Sequence, residues 1–100
     1  MPRGHAPSRK DNTQTPTEQA FERAGWSVCD VHALGENAPD LFVSKRQVTI
    51  AIECKTGNEK RKPHQVKWAE KWQGDYLTGN NPLTLLEQAE GILEIRTLPF

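Results

Sequence analysis

Cysteine is scarce in this chain: Cys29 and Cys54 are the two thiols in 100 residues. Two cysteines make no disulfide framework. Both lie in apolar, strand-like stretches, so free buried thiols in a reducing compartment are expected. An excess of charge of one sign is also missing. Thirteen Lys and Arg balance thirteen Asp and Glu. Bulk charge therefore supplies no case for a polyanionic partner, and any such case must rest on a local patch. No run is long and apolar enough to span a membrane, and the N-terminal segment lacks the apolar stretch of a signal peptide. The expected location is the cytoplasm, as a soluble protein. There is no Gly-rich phosphate loop or Walker motif, so ATP-driven work is not encoded here. No Ser or Cys with a paired base stands out as a nucleophile.

What is present suffices for one small domain. Apolar residues make up 35% of the chain, enough for one sheet with two or three covering helices. Residues 1–14 hold Pro, Gly, Ser and basic residues with little to bury, and read as a disordered basic arm. Its Arg3, Arg9 and Lys10 suit a polyanion, although an idle tail is the plainer reading. Residues 15–100 read as the domain. Thr15 as N-cap, Pro16 at the first helical position and Glu18 closing a capping box predict a helix. Thr17, Ala20, Phe21 and Ala24 share its inner face, and Gly25 ends it. Trp26 to Val31 reads as a strand, and Leu41 to Ser44 and Val48 to Lys55 as two more around a polar turn. A second helix opens at Pro63, with Gln65, Trp68, Ala69 and Trp72 at helical spacing. Asp75 to Thr78 is a short strand. Asn81 caps a third helix from Pro82, with Leu83, Leu86 and Ala89 on one side. Ile92 to Leu98 reads as a strand or packed tail. The order is α-β-β-β-α-β-α, an α/β sandwich with helices flanking a mixed sheet.

The second and third strands place two carboxylates together. If Lys45 and Val48 are the last pair before a two-residue turn, Leu41 faces Ile52 and Val43 faces Ile50. The same register sets Asp40 opposite Glu53, with Cβ atoms about 4.5–5.5 Å apart. A one-residue slip would send one acid to the other face. Arg46-Gln47 is a poor type I′ sequence, so the apolar pairs carry the register. Two adjacent carboxylates repel, and a divalent cation with hard oxygen ligands removes that cost. Lys55, two residues after Glu53, shares its face and can contact a phosphate or orient a water. Acid, acid, lysine and metal suffice for phosphodiester hydrolysis. The competing reading is three charged residues on a solvated strand face.

The segment Ala38-Pro39-Asp40-Leu41-Phe42-Val43, followed by Ile50-Ala51-Ile52-Glu53-Cys54-Lys55, resembles the PD-(D/E)XK nuclease superfamily. The likeness is closer to its small VRR-NUC type, found notably in bacteriophages, and extends from about Asp11 to Ile92. It includes Ala24-Gly25, the strand Ser27 to Asp30, Gln65 and Trp72-Gln73-Gly74. The resemblance implies a restriction-endonuclease-like core. It implies that Asp40, Glu53 and the backbone carbonyl of Cys54 hold Mg²⁺ or Mn²⁺, that Lys55 positions the water, and that Gln65 supports them. It implies endonucleolytic cleavage of DNA, leaving a 5′-phosphate, in the cytoplasm of the host if the chain is phage-encoded. Many relatives carry a Glu in the first helix, and the position aligned with it here is Pro16. Glu18 and Glu22 are the candidate substitutes. The rival expectation is a nucleic-acid-binding or assembly module that keeps the fold without efficient catalysis.

Weaker signals surround this motif. Lys60, Arg61, Lys62 and Lys67, with Lys71, concentrate positive charge after it and suit sequence-independent phosphate contacts. A solvated loop explains the run equally well. Trp68 and Trp72 read as core residues before base-stacking platforms. Cys29, His32, Cys54 and His64 show no zinc-ligand pairing, and His64 is read as an ordinary histidine. Branched or flapped DNA is among the expected substrates, and cutting a junction would call for a two-fold homodimer.

Overall fold

The computed structural model describes residues 13–34, 38–55 and 63–99, without the side chain of His64. The elements are α1 (Gln14–Arg23), β1 (Ser27–Asp30), a 3-10 turn (His32–Leu34), β2 (Leu41–Lys45), β3 (Val48–Cys54), α2 (Pro63–Lys71), β4 (Asp75–Gly79) and α3 (Pro82–Arg96). The chain is an α/β fold of the expected order. Its sheet runs β1-β2-β3-β4. β1, β2 and β3 are antiparallel neighbours, and β4 joins β3 in parallel. Parallel neighbours need a crossover, which α2 provides.

Period-two alternation decides what each face of the sheet meets. Leu41, Val43, Ile50, Ile52 and Cys54 form one core with Phe21 of α1 and Leu85, Ala89 and Leu93 of α3. The opposite face carries Phe42 and Tyr76, covered by Trp68 and Trp72 of α2 and its end. β3 is buried from Ile50 to Cys54 because both of its faces are covered.

The hairpin register is the one the apolar pairs require: Leu41 faces Ile52, Val43 faces Ile50 and Lys45 faces Val48. It forces φ of 51° on Arg46 and 70° on Gln47. Positive φ at both central residues is the type I′ geometry that matches strand twist. Tertiary pairing thus overrides an unsuitable turn sequence. Gly25 supplies φ of +88° at the end of α1, as its position implied.

Several expectations are corrected. α1 begins at Gln14 with Thr13 as N-cap, and no side chain caps it. Pro16 therefore lies inside the first turn, where its missing N–H would be unbonded anyway, and Thr13 and Gln14 belong to the helix start rather than the arm. Residues 1–12 lie outside the described residues. On α3, Leu83 is 71% exposed and the buried residues are Leu85, Ala89 and Leu93. The helix continues through Gly91 to Arg96, so Ile92 to Leu98 is not a strand. Asn81 caps it as expected, accepting from Thr84 N at 3.0 Å. Arg96 pairs with Asp75 at 2.8 Å and ties α3 to β4; that hydrogen bond and charge hold the guanidinium pKa above its ordinary value. Cys29 is exposed, not buried, because β1 is an edge strand. Cys29 and Cys54 are free, and they sit on opposite sheet faces. That separation removes any shared zinc site.

Candidate active site

The motif residues lie where β2 and β3 part. Regular pairing ends at Leu41 and Ile52. One residue earlier, the Asp40 amide turns to Ile52 O at 3.1 Å. The Cys54 N–H, which the next ladder bond would have used, donates instead to Asp40 Oδ2 at 2.7 Å. A carboxylate takes the place of the lost backbone acceptor. Asp40 is thereby fixed against the residue that follows Glu53. Its own carbonyl accepts from Val31 N at 2.9 Å, so β1 holds it from the other side.

Glu53 and Lys55 are 5% and 6% exposed. Acids and lysines are almost never buried this far unless partnered. The burial rules out charged residues on a solvated strand face. Gln65, from the first turn of α2, is their common partner. Its Nε2 donates to Glu53 Oε2 at 2.7 Å, and its Oε1 accepts from Lys55 Nζ. A carboxylate only accepts and an ammonium only donates, so the two bonds fix the amide one way round. Lys55 is pinned by its backbone too. Its N–H donates to Gly79 O at 2.8 Å, and its carbonyl accepts from Thr13 Oγ1 at 2.8 Å.

α1 contributes a side chain that sequence reading missed. Pro16 is exposed, so the aligned position does not approach the motif. Of the two fully buried polar residues of α1, Thr17 and Gln14, the one that opens the helix is Gln14. Its Nε2 donates to Glu18 Oε2 at 3.0 Å and Asp30 Oδ1 at 2.9 Å. Its Oε1 is buried and finds no partner among the described residues. The signal was available: Gln14, Thr17 and Phe21 fall at i, i+3 and i+7, on the inner stripe of α1. Glu18 is engaged with Gln14, and Glu22 is exposed. Asp30 in turn accepts from His32 Nδ1 at 2.7 Å.

Donor type decides what this site could hold. Asp40 and Glu53 offer hard carboxylate oxygens, the donor type that suits a small divalent cation. The Cys54 thiol is turned into the core and takes no part. Among the described residues no group of three His, Cys, Asp or Glu side chains is arranged around a metal position. Lys67 lies on the exposed side of α2. Lys60, Arg61 and Lys62 lie outside the described residues.

A search of solved structures finds a chain titled "VRR_NUC domain", 26% identical, with a TM-score of 0.66 over 78% of this chain and 90% of that one. This chain has a VRR-NUC-type nuclease fold. No family model and no curated protein matches the sequence. In this VRR-NUC-type fold, the strand pair and the crossover helix bring Glu53, Gln65 and Lys55 together. No helix among the described residues is long and apolar enough to cross a membrane.

Proposed function

We propose that this domain is a metal-dependent endonuclease that hydrolyses DNA phosphodiester bonds. The observation that carries the reading is the burial of Glu53 and Lys55, 5% and 6% exposed, around a single bridging amide. An ion pair serving stability alone needs no such shared partner, and buried charge is weak evidence for stability in any case.

Asp40, Glu53 and the Cys54 carbonyl would hold Mg²⁺ or Mn²⁺. When bound, such an ion neutralises charge on the phosphate and makes water acidic enough to attack near neutral pH. The chain's own residues do the positioning. Gln65 holds Glu53 and Lys55 at a fixed separation. Lys55 presents an ammonium that contacts the scissile phosphate or orients the attacking water. The Cys54 amide fixes the Asp40 carboxylate before any ligand arrives, which lowers the reorganisation that binding requires. In-line attack by water opposite the 3′ oxygen breaks the P–O3′ bond and leaves a 3′-hydroxyl and a 5′-phosphate, the outcome the superfamily resemblance implies. Phosphate-directed chemistry is largely indifferent to sequence, so branched, flapped or nicked DNA of replication and repair fits better than a sequence-specific target. Cutting across a junction would need two copies of this chain.

The test is cleavage of plasmid, linear, flapped and branched DNA with Mg²⁺, Mn²⁺ or EDTA, by the unmodified chain and by Glu53→Gln. Cleavage with either metal, abolished by EDTA and by Glu53→Gln, is expected. Undiminished cutting by Glu53→Gln would sink the mechanism. Binding without cutting in any metal would favour the second reading, a nucleic-acid-binding module that keeps the fold. That reading draws on one observation: the buried residue at the start of α1 is the neutral Gln14, which contacts Glu18 and Asp30.

A further inference from the structure

Trp68 and Trp72 lie nearly parallel, with ring centroids 5.0 Å apart and 21° between their planes. Phe42 supports them from the sheet at 6.3 and 5.6 Å. Trp72 is locked further. Its Nε1 donates to Asp75 O at 2.8 Å, and a Cβ on Gly74 would stand 2.9 Å from its ring. Both indoles remain half-buried. With Lys71 they line an apolar cavity of about 300 Å³. A rigid aromatic pair left half open is not a completed core.

We propose that this cavity stacks unpaired bases of single-stranded DNA next to the scissile phosphate. The inference rests on the nuclease reading only for the position of that phosphate. Three features favour this occupant. First, Lys71 lines the cavity and Lys67 lies exposed one turn back, which complements a phosphate backbone. Lysine is depleted in the buried centres of protein interfaces, which argues against a second copy. Second, the platform is continuous with the candidate active site. Gln65, Trp68 and Trp72 follow one stripe of α2, and at 1.5 Å per residue the indoles lie about 4.5 and 10 Å along the axis from Gln65. With stacked nucleotides spaced about 3.4 Å apart, the platform meets bases about one to three positions from the cut. Third, every base has a face that stacks on an aromatic ring, but duplex bases hide theirs between neighbours. The platform therefore selects substrates with unpaired nucleotides: a single strand, a flap or a gap.

The experiment measures binding of fluorescently labelled oligothymidine and of a blunt duplex of equal length, by anisotropy, in EDTA. Cleavage plays no part, so this result stands apart from the nuclease test. Trp68→Leu keeps apolar volume but removes the stacking face. It should weaken oligothymidine binding about 5- to 150-fold and leave duplex binding unchanged, and Trp68→Phe should restore most of the loss. In the unmodified chain oligothymidine should quench tryptophan emission. Trp26 is buried on the other face of the sheet, so quenching reports on Trp68 and Trp72. That readout needs no substitution and decides the matter if Trp68→Leu fails to fold. No quenching, an equal loss for strand and duplex, or conversion of a dimer to a monomer by Trp68→Leu would each overturn the proposal.

Discussion

Gln65 Nε2 donates to Glu53 Oε2 at 2.7 Å, joining the first turn of α2 to the end of β3. Because Gln65 Oε1 is committed to Lys55 Nζ, one neutral side chain sets the relation between an acid and a base on the same strand. The geometry of the candidate site thus depends on how α2 docks as well as on the strand that bears the motif.

Gln65→Leu should therefore reduce cleavage strongly while the strands remain paired. It also leaves two buried charged groups short of a partner, at a cost of about 2 kcal/mol in stability. Gln65→Asn is too short to reach both and should resemble Leu in activity. Cleavage rates and urea unfolding midpoints check both effects, and a Gln65→Leu enzyme of normal rate would assign the amide a purely structural role.

Divalent metal should stabilise the folded chain. At ten times the dissociation constant, Mg²⁺ or Mn²⁺ adds about 1.4 kcal/mol, roughly 5–10 °C in the melting temperature of a domain this small. Asp40→Asn should abolish the shift. Asn keeps an acceptor for the Cys54 amide, so the melting temperature without metal should change little. A shift of equal size in Asp40→Asn would place the ion elsewhere.

The turn at Arg46 and Gln47 is the locally strained part of the hairpin, with φ of 51° and 70°. Replacing the pair by Asn-Gly should stabilise the chain by about 1 kcal/mol without moving the register. Thermal melting reads the gain, expected at about 4–8 °C. A loss would mean that the two side chains hold contacts worth more than the backbone relief.

The phase of α3 makes a paired prediction. Leu83 is 71% exposed and Leu85 is 1% exposed. Leu83→Lys should change stability by no more than about 0.5 kcal/mol, whereas Leu85→Ala should cost about 2–5 kcal/mol. Gly91 lies within the helix with open space where a Cβ would stand, and Gly91→Ala should add about 0.8 kcal/mol. Calorimetry on the three variants separates these outcomes.

Much of the fold was legible because its signals are local. Alternating apolar residues in Val48 to Cys54, the Asn81-Pro82 helix start and the glycine ending α1 each act over a few residues. The failures share a cause. Leu83, Leu86 and Ala89 share a face of α3, but Leu85, Ala89 and Leu93 form the face that docks, and only the position of α3 over the sheet chooses between them. Thr15 and Pro16 make a good helix start, yet Thr13 and Gln14 extend the helix because Thr13 reaches Lys55 O and Gln14 reaches Asp30. Cys29 looked like a core residue because nothing in its neighbours reveals that β1 is an edge.

By itself the sequence singled out Asp40, Glu53 and Lys55 as candidate site residues, from side-chain type, strand alternation and the family resemblance. It also determined the hairpin register, because the Leu41–Ile52 and Val43–Ile50 pairs leave one arrangement that buries both. The tertiary structure alone decided the rest: that Glu53 and Lys55 are buried, that Gln65 bridges them, that the Cys54 amide holds Asp40, and that Trp68 and Trp72 stay half open. These relations join residues far apart along the chain or depend on how whole helices pack. Local periodicity is blind to both.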